Sequence, residues 1–291
     1  MKTVLVRFRI TLLFAILVLC QSLPIIAQTS LDSLKIIGSP WQETALQEGI
    51  IHKHMHHSDL FGGPQNINFV AIAKGHGYRL YALTSDTLVI TSKMARANNA
   101  LVAVNGTYYN VKKRKTNCYF RIDKNIIAKS EGAEDFRLSG AIYMKKKKVK
   151  IIPWSKKIES NYHKSAGITV ASGPLLISKG KISSFPQLTD DNFYKVKHPR
   201  TAIGITKNKQ LIMLTIDGRL PGHAIGVSIP EIAYLMKQLG CEYALNLDGG
   251  GSSTLWSSME KNNGVLNTPC TNGKADQFGE RPNASIIFIG K

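Results

Sequence analysis

Asp248 ends the apolar run Leu245-Asn246-Leu247 and is followed by Gly249, Gly250, Gly251, Ser252, Ser253 and Thr254. A carboxylate there can stabilise or attack an electron-poor centre. Glycines let backbone approach a ligand closely and leave amides to donate to an oxyanion or phosphate. A nucleotide-binding P-loop needs a Lys before its Ser/Thr, and none stands between Gly249 and Thr254. A nucleophile elbow needs Gly two residues on each side of its Ser, and Ser252 has Thr254 on the far side. Without company, three glycines also suit a tight turn crowded by neighbouring backbone. Company is present. Asp217 is followed by Gly218 and Arg219, Arg200 precedes the apolar run from Ala202, and Arg281 precedes the final apolar run. Guanidinium forks match phosphate oxygens in pairs, so three arginines beside strand ends read as a phosphate clamp, although each by itself also suits a surface ion pair.

Those groups act together only if the chain brings their strand ends to one edge. Residues 210–217 read as a buried strand. Residues 228–240 open with Ser228 and Glu231 at capping-box spacing, and Ile229, Ile232, Ala233, Met236 and Leu239 recur at helical steps up to Gly240. Residues 243–248 read as the next strand. A helical crossover within one sheet makes its two strands parallel, so Asp217 and Asp248 are expected on one edge as ends of parallel neighbours. A third strand, residues 100–104, ends in Asn105-Gly106-Thr107-Tyr108-Tyr109. Three polar strand ends on one edge predict a pocket. With short apolar runs dominating from Asn66 onward, the expected fold class is mixed α+β: a central mixed sheet, a strand-helix-strand unit in the C-terminal half, and helices packed on the sheet.

Residues 1–27 read as a secretory signal peptide, with Lys2, Arg7 and Arg9 ahead of an apolar stretch from Ile10 to Leu19, and Ala27 before the cut. That stretch is shorter than the roughly 18 to 20 residues that span a bilayer, so no membrane span is expected once it is removed. Residues 28–62 read as a lead-in segment and 63–291 as the main domain of an exported protein, periplasmic or extracellular. The 291-residue chain carries a formal net charge of +19. Removing the leader takes three basic residues and no acidic one, so the mature chain stays strongly basic. An anionic partner follows, and for an exported chain a phosphorylated or acidic glycan suits better than nucleic acid. The run Lys145-Lys146-Lys147-Lys148 reads as a solvated hairpin cap.

Cys118, Cys241 and Cys270 follow the leader. Cys241, behind a helix-ending Gly240 and ahead of an apolar strand, reads as a buried thiol, which leaves Cys118 with Cys270 as the expected disulfide. His52, His54 and His56 alternate and would share one strand face. No cofactor is predicted, and a metal ion there is left open.

In order along the chain, VNGTYYN, SGPLLI, HPRTAIGI, TIDGR, LGCEYALNLDGGGSST and GERPNASIIFI resemble the phosphodiester glycosidase family, over roughly residues 49–290. The resemblance implies hydrolysis of a sugar joined through its anomeric carbon to a phosphodiester, of the N-acetylglucosamine-1-phosphodiester kind. It implies Asp217 and Asp248 as the carboxylate pair. Asn105, Gly106 and Tyr109 would line the sugar side, with Asn246 and Ser252 adding hydrogen bonds. Arg200, Arg219, Arg281 and the amides of Gly249, Gly250 and Gly251 would serve the phosphate. The chain departs from the commoner pattern in the basic stretch NVKKRKTNC after the VNGTYY motif, which would narrow or charge the pocket entrance. A non-catalytic envelope module holding an acidic glycan on the same rim is the competing reading.

Overall fold

The computed structural model describes residues 23–132, 137–163, 166–185 and 191–291. Most of the expected leader, residues 1–22, lies outside the described residues. Two units result, Met1–Ser39 and Pro40–Lys291. The first contains the helix Leu23–Gly38. Among the described residues no helix is long and apolar enough to cross a membrane.

The second unit is a sheet-dominated α+β fold. Its largest sheet has eight strands in the order Gln42–Gln47, Ile50–Leu60, Gly63–Ile72, Leu211–Ile216, Arg200–Thr206, Cys241–Asn246, Leu175–Ser178 and Lys181–Ile182. Residues 42–47 and 50–60 of the expected lead-in are therefore strands of this sheet. Four-stranded and five-stranded sheets pack against it, and all three supply the main core: Val70, Ile203, Met213 and Leu245 from the first, Val104 and Ile287 from the second, Phe120, Ile142 and Val170 from the third. Alternate residues of Leu211–Ile216 face opposite ways, yet all six are buried. A strand covered on both faces is continuously apolar, which is why it reads as a buried run.

The helix Ile229–Gln238 begins with the expected capping box. The Ser228 side chain accepts from the Glu231 amide, and the Glu231 side chain accepts from the Ser228 amide. Gly240 ends the helix at φ +79, a left-handed conformation that costs a residue with a β-carbon. The helix packs on the outer face of the sheet, and a β-carbon at Gly204 would lie 2.5 Å from Met236 Cε.

The strands on either side of this helix do run in the same direction, but they are not neighbours. Arg200–Thr206 lies between them, antiparallel to both: Ile203 pairs with Met213 on one side and with Leu245 on the other. Every pairing among the described residues is antiparallel in this sheet, so it is not mixed in strand direction. The inserted strand enters where its neighbours leave. Arg200 pairs with Ile216, and the start of the inserted strand thus sits between the Asp217 and Asp248 ends. The strand Val102–Asn105 belongs to the four-stranded sheet.

The expected Cys118–Cys270 disulfide is absent. Cys118 is a buried thiol whose Sγ lies 3.6 Å from Asn117 Oδ1. Cys270 belongs to a half-exposed loop whose electrostatic neighbours include Arg219, Asp217 and Arg281. The two thiols thus serve different surroundings. Cys241 is buried as expected, and burial pushes its thiol up to about 12.

Candidate active site

A cleft of about 330 Å³ opens at the rim shared by these strand ends. Asp248 lines it with four arginines: Arg137, Arg200, Arg219 and Arg281. Tyr108, Tyr109, Phe193 and His198 complete its polar and aromatic walls, and Val111, from the basic stretch after the VNGTYY motif, stands at its edge.

Each glycine after Asp248 lies against one arginine. A β-carbon at Gly249 would lie 2.7 Å from the Pro199 carbonyl and 3.7 Å from Arg200 Cδ. At Gly250, where φ is +61, it would lie 3.1 Å from Arg219 Nη1, and at Gly251 it would lie 3.3 Å from Arg281 Cδ. Side chains at these three positions would crowd the arginines, most directly Arg219 at Gly250. Two of the three expected amide donors are used inside the protein: the Gly249 amide donates to the Asp248 carboxylate and the Gly250 amide to the Pro199 carbonyl. Amides consumed inside the protein cannot also serve a ligand.

The arginines divide by function. Arg200 is 3 % exposed. Its Nε donates to the Val227 carbonyl and its Nη2 to those of Phe193 and Val196, with the guanidinium carbon 5.3 Å from the Phe193 ring centre. Burial lowers its pKa to about 10, and Arg219 and Arg137 push the same way against Tyr108. Arg200 therefore ties the start of its strand to the short helix Asp191–Tyr194 that carries Phe193. Arg219 is exposed and adopts φ +60; both its Nε and Nη2 reach His198 Nδ1, at 3.3 and 3.1 Å. Arg281 donates through Nε and Nη2 to Ser252 Oγ at 3.2 and 2.7 Å, and its Nη2 lies 3.4 Å from Asp248 Oδ2. Arg137, which comes from a loop in the middle of the chain, packs its guanidinium carbon 4.1 Å from the Phe193 ring centre. Sequence reasoning missed Arg137 and Phe193, because neither stands beside a motif-bearing strand end.

Asp217 is placed differently from Asp248. It is 1 % exposed and does not line the cleft. Its Oδ1 accepts from Asn267 Nδ2 at 2.8 Å, and its Oδ2 accepts from Asn66 Nδ2 at 2.6 Å and from the Thr268 amide at 2.9 Å. Asn267 also donates to the Ser253 carbonyl. Asp217 is a buried anchor that fastens the 266–268 loop and, through Asn267, the segment behind the triple glycine. The pair of cleft carboxylates expected from the sequence is thereby reduced to Asp248.

Asn105, Gly106 and Asn246 are likewise scaffold. Asn105 is fully buried; its Nδ2 donates to the Asp248 carbonyl, while its Oδ1 accepts from Thr201 Oγ1 and from the Thr254 amide. The Gly106 carbonyl accepts from the Asp248 amide. A β-carbon at Gly106 would lie 2.2 Å from Ser285 Oγ. Both ends of the Asp248 peptide unit are therefore held by the strand end of the second sheet. Asn246 donates to Tyr108 Oη at 3.0 Å and to the Gly173 carbonyl at 2.9 Å. Tyr108 in turn donates to Gly173 at 2.5 Å, and burial, then the charge of Asp248, raises its pKa well above 10. Tyr109 faces the cleft mouth, its hydroxyl on the Pro282 carbonyl and its ring under Arg281. Ser252 is buried and reaches the cleft only through Arg281.

The histidine stripe is occupied by protein partners. His52 pairs with Asn68 at 3.0 Å, and His54 with Asn66 at 2.6 Å and Gln42 at 3.2 Å. Among the described residues no group of three His, Cys, Asp or Glu is clustered to hold a metal ion.

A family model described as phosphodiester glycosidase matches residues 98–290. The SPbeta prophage-derived uncharacterized protein YomE of Bacillus subtilis (strain 168) is 37 % identical over 93 residues, which are 27 % of this chain and 14 % of that protein. Among solved structures, the catalytic domain of zebrafish N-acetylglucosamine-1-phosphodiester alpha-N-acetylglucosaminidase, auto-inhibited by its pro-peptide, superposes with a TM-score of 0.64 at 16 % identity. That superposition covers 87 % of this chain and 88 % of the zebrafish domain. A hypothetical protein from Synechocystis gives a TM-score of 0.64 at 17 % identity, over 86 % of this chain and 63 % of the other. At such identities the structural likeness shows a shared fold.

Proposed function

The chain belongs to the phosphodiester glycosidase family, and we propose that it hydrolyses the bond between a sugar's anomeric carbon and a phosphodiester, on an N-acetylglucosamine-1-phosphodiester-like substrate outside the cytoplasm. The observation that carries this reading is one carboxylate, Asp248, facing a cleft lined by four arginines. Breaking an anomeric carbon–oxygen bond to phosphate builds cationic character on the sugar and negative charge on the departing group. The cleft matches that charge pattern. Asp248 serves the sugar, where it stabilises the cation, attacks it, or takes a proton from water. Arg219, Arg137 and Arg281 receive the phosphate.

A phosphate leaves without needing a proton, so charge stabilisation replaces the general acid that most glycosidases require. This suits a cleft whose second expected carboxylate, Asp217, is buried elsewhere. In the balanced reaction, water oxygen joins the anomeric carbon, the carbon–oxygen bond to phosphorus breaks, and a phosphomonoester leaves with the free sugar. The strongly basic chain suits an acidic or phosphorylated glycan as the natural partner.

The test is to incubate the mature protein with UDP-N-acetylglucosamine in oxygen-18 water and analyse products by mass spectrometry. Free N-acetylglucosamine carrying the label supports glycosidic cleavage. Sugar phosphate, with the label on phosphorus, overturns it, and binding without product supports a glycan-holding module instead.

A further inference from the structure

A second cavity, of about 760 Å³, lies at the opposite ends of the same strands. It opens where Gly63–Ile72 and Arg200–Thr206 finish and where Leu211–Ile216 begins. Ile205, in its wall, stands five residues from Arg200 of the cleft on one strand, so at about 3.4 Å per residue the two sites are roughly 17 Å apart. The wall is apolar: Ile72, Leu80, Leu211 and Ile289 are buried members of the main core, and Ile205 is partly buried. The mouth is cationic. Lys74, Lys145, Lys146, Lys147, Lys148 and Lys209 surround it.

Two features separate this mouth from an ordinary lysine-rich surface. Lys209 is paired with Glu242 at 3.4 Å, but among the described residues no carboxylate forms an ion pair with Lys74 or with any lysine of the 145–148 run. The run also works against its own turn. Lys145 pairs with Lys148 across a two-residue hairpin connection, and Lys146 adopts φ +54. Asn or Gly would suit such a turn. Lysine there concentrates positive charge over an apolar opening at a cost in turn propensity and in mutual repulsion. An anionic head group would relieve that repulsion, while an attached hydrocarbon chain would fill the space between the sheets, a volume within the range of small-molecule sites.

We propose that this cavity binds a single-chain anionic amphiphile, a long-chain alkyl phosphate or carboxylate, with its tail between the sheets and its head among the lysines of the 145–148 hairpin. Such a site is separate from the arginine cleft and would tether or present the enzyme near amphiphilic anions.

Isothermal titration of the mature chain with dodecyl phosphate, below its micelle concentration, tests this. One-to-one binding is expected, on the order of 10-fold or more tighter than for dodecyl maltoside, which lacks the charge, or butyl phosphate, which lacks the tail. The triple variant Lys146→Glu, Lys147→Glu, Lys148→Glu, confined to an exposed turn, is expected to weaken binding by at least about 10-fold without changing the thermal midpoint by more than a few degrees. Ala73→Trp, which fills the mouth from the other side, should weaken it through the tail. Equal affinity for dodecyl maltoside or butyl phosphate, or indifference to the charge reversal, would overturn the proposal. So would sedimentation with phosphatidylglycerol vesicles in the absence of monomer binding, which would make the lysines a membrane-facing surface. UDP-N-acetylglucosamine turnover, followed in parallel, reads the cleft and leaves the two sites distinguishable.

Discussion

A β-carbon at Gly250, where φ is +61, would lie 3.1 Å from Nη1 of Arg219, which itself adopts φ +60. Glycine at 250 leaves that space to the Arg219 guanidinium, which reaches His198 Nδ1.

Gly250→Ala is therefore expected to cost roughly 1 kcal/mol of stability from the left-handed conformation. It also displaces the Arg219 guanidinium. Steady-state kinetics on a sugar-phosphodiester should show KM rising on the order of 10-fold, because one charge-assisted hydrogen bond to phosphate is displaced. Unchanged KM with only a lowered thermal midpoint would show that the contact is structural.

How much of this was legible beforehand can be judged from particular residues. The capping box at Ser228 and Glu231, the stop at Gly240 and the continuous burial of residues 211–216 follow from local rules, and each is present. The common edge of Asp217 and Asp248 was also legible, because a helical crossover fixes relative strand direction. Which strand lies between them was not. That order is set by long-range pairing, Ile203 with Met213 and Leu245, and no local period encodes it. The direction of the Asp217 carboxylate depends on Asn66 and Asn267, which lie 151 and 50 residues away. Arg137 enters the cleft from a loop without a strand-end motif, so its type and spacing carried no signal.

The two aspartates should separate experimentally. Asp248→Asn is expected to lower kcat by at least about 1,000-fold while leaving the thermal midpoint within a few degrees, since that carboxylate serves the cleft. Asp217→Asn brings an amide group toward the donors Asn66, Asn267 and the Thr268 amide inside the protein. It should cost roughly 2–4 kcal/mol, lowering the midpoint by about 5–10 °C. Its residual kcat, measured well below that midpoint, should exceed that of Asp248→Asn. Equal losses of kcat in two stably folded variants would return Asp217 to the chemistry.

Acid should loosen the edge of the large sheet through His52. Burial lowers the pKa of this imidazole below 6.5, against a raising hydrogen bond from Asn68, a lowering contribution from His54 and a raising one from Glu260. A base whose folded pKa lies below its unfolded one favours the native state most above pH 6.5, and that contribution is lost as pH falls through 6.5 toward the folded value. Urea midpoints measured from pH 7.5 down to 5 should decline accordingly. His52→Gln, which keeps a donor toward Asn68 and cannot titrate, should flatten that decline. An identical slope in the variant would place the acid sensitivity elsewhere.

Arg137 gives the sharpest separation between phosphate binding and strand anchoring. Arg200 and Arg137 both lie against Phe193, at 5.3 and 4.1 Å, but Arg200 spends its Nε and Nη2 on three backbone carbonyls of the protein. Removing the Arg200 side chain strands those buried carbonyls, so Arg200→Ala is expected to lose roughly 2–4 kcal/mol of stability. Arg137→Ala should change stability less and act on the ligand: KM for a sugar-phosphodiester, and the inhibition constant for inorganic phosphate, should both rise about 10-fold, because a guanidinium donates charge-assisted bonds to phosphate oxygens. Arg137→Lys restores the charge without the planar fork. It should recover only part of the loss, and raising salt from 50 to 500 mM should erode that recovery further, since an ammonium acts as a point charge open to screening. Full recovery by lysine would show that charge suffices at this position. No change in either constant for Arg137→Ala would remove it from the phosphate-binding side of the cleft.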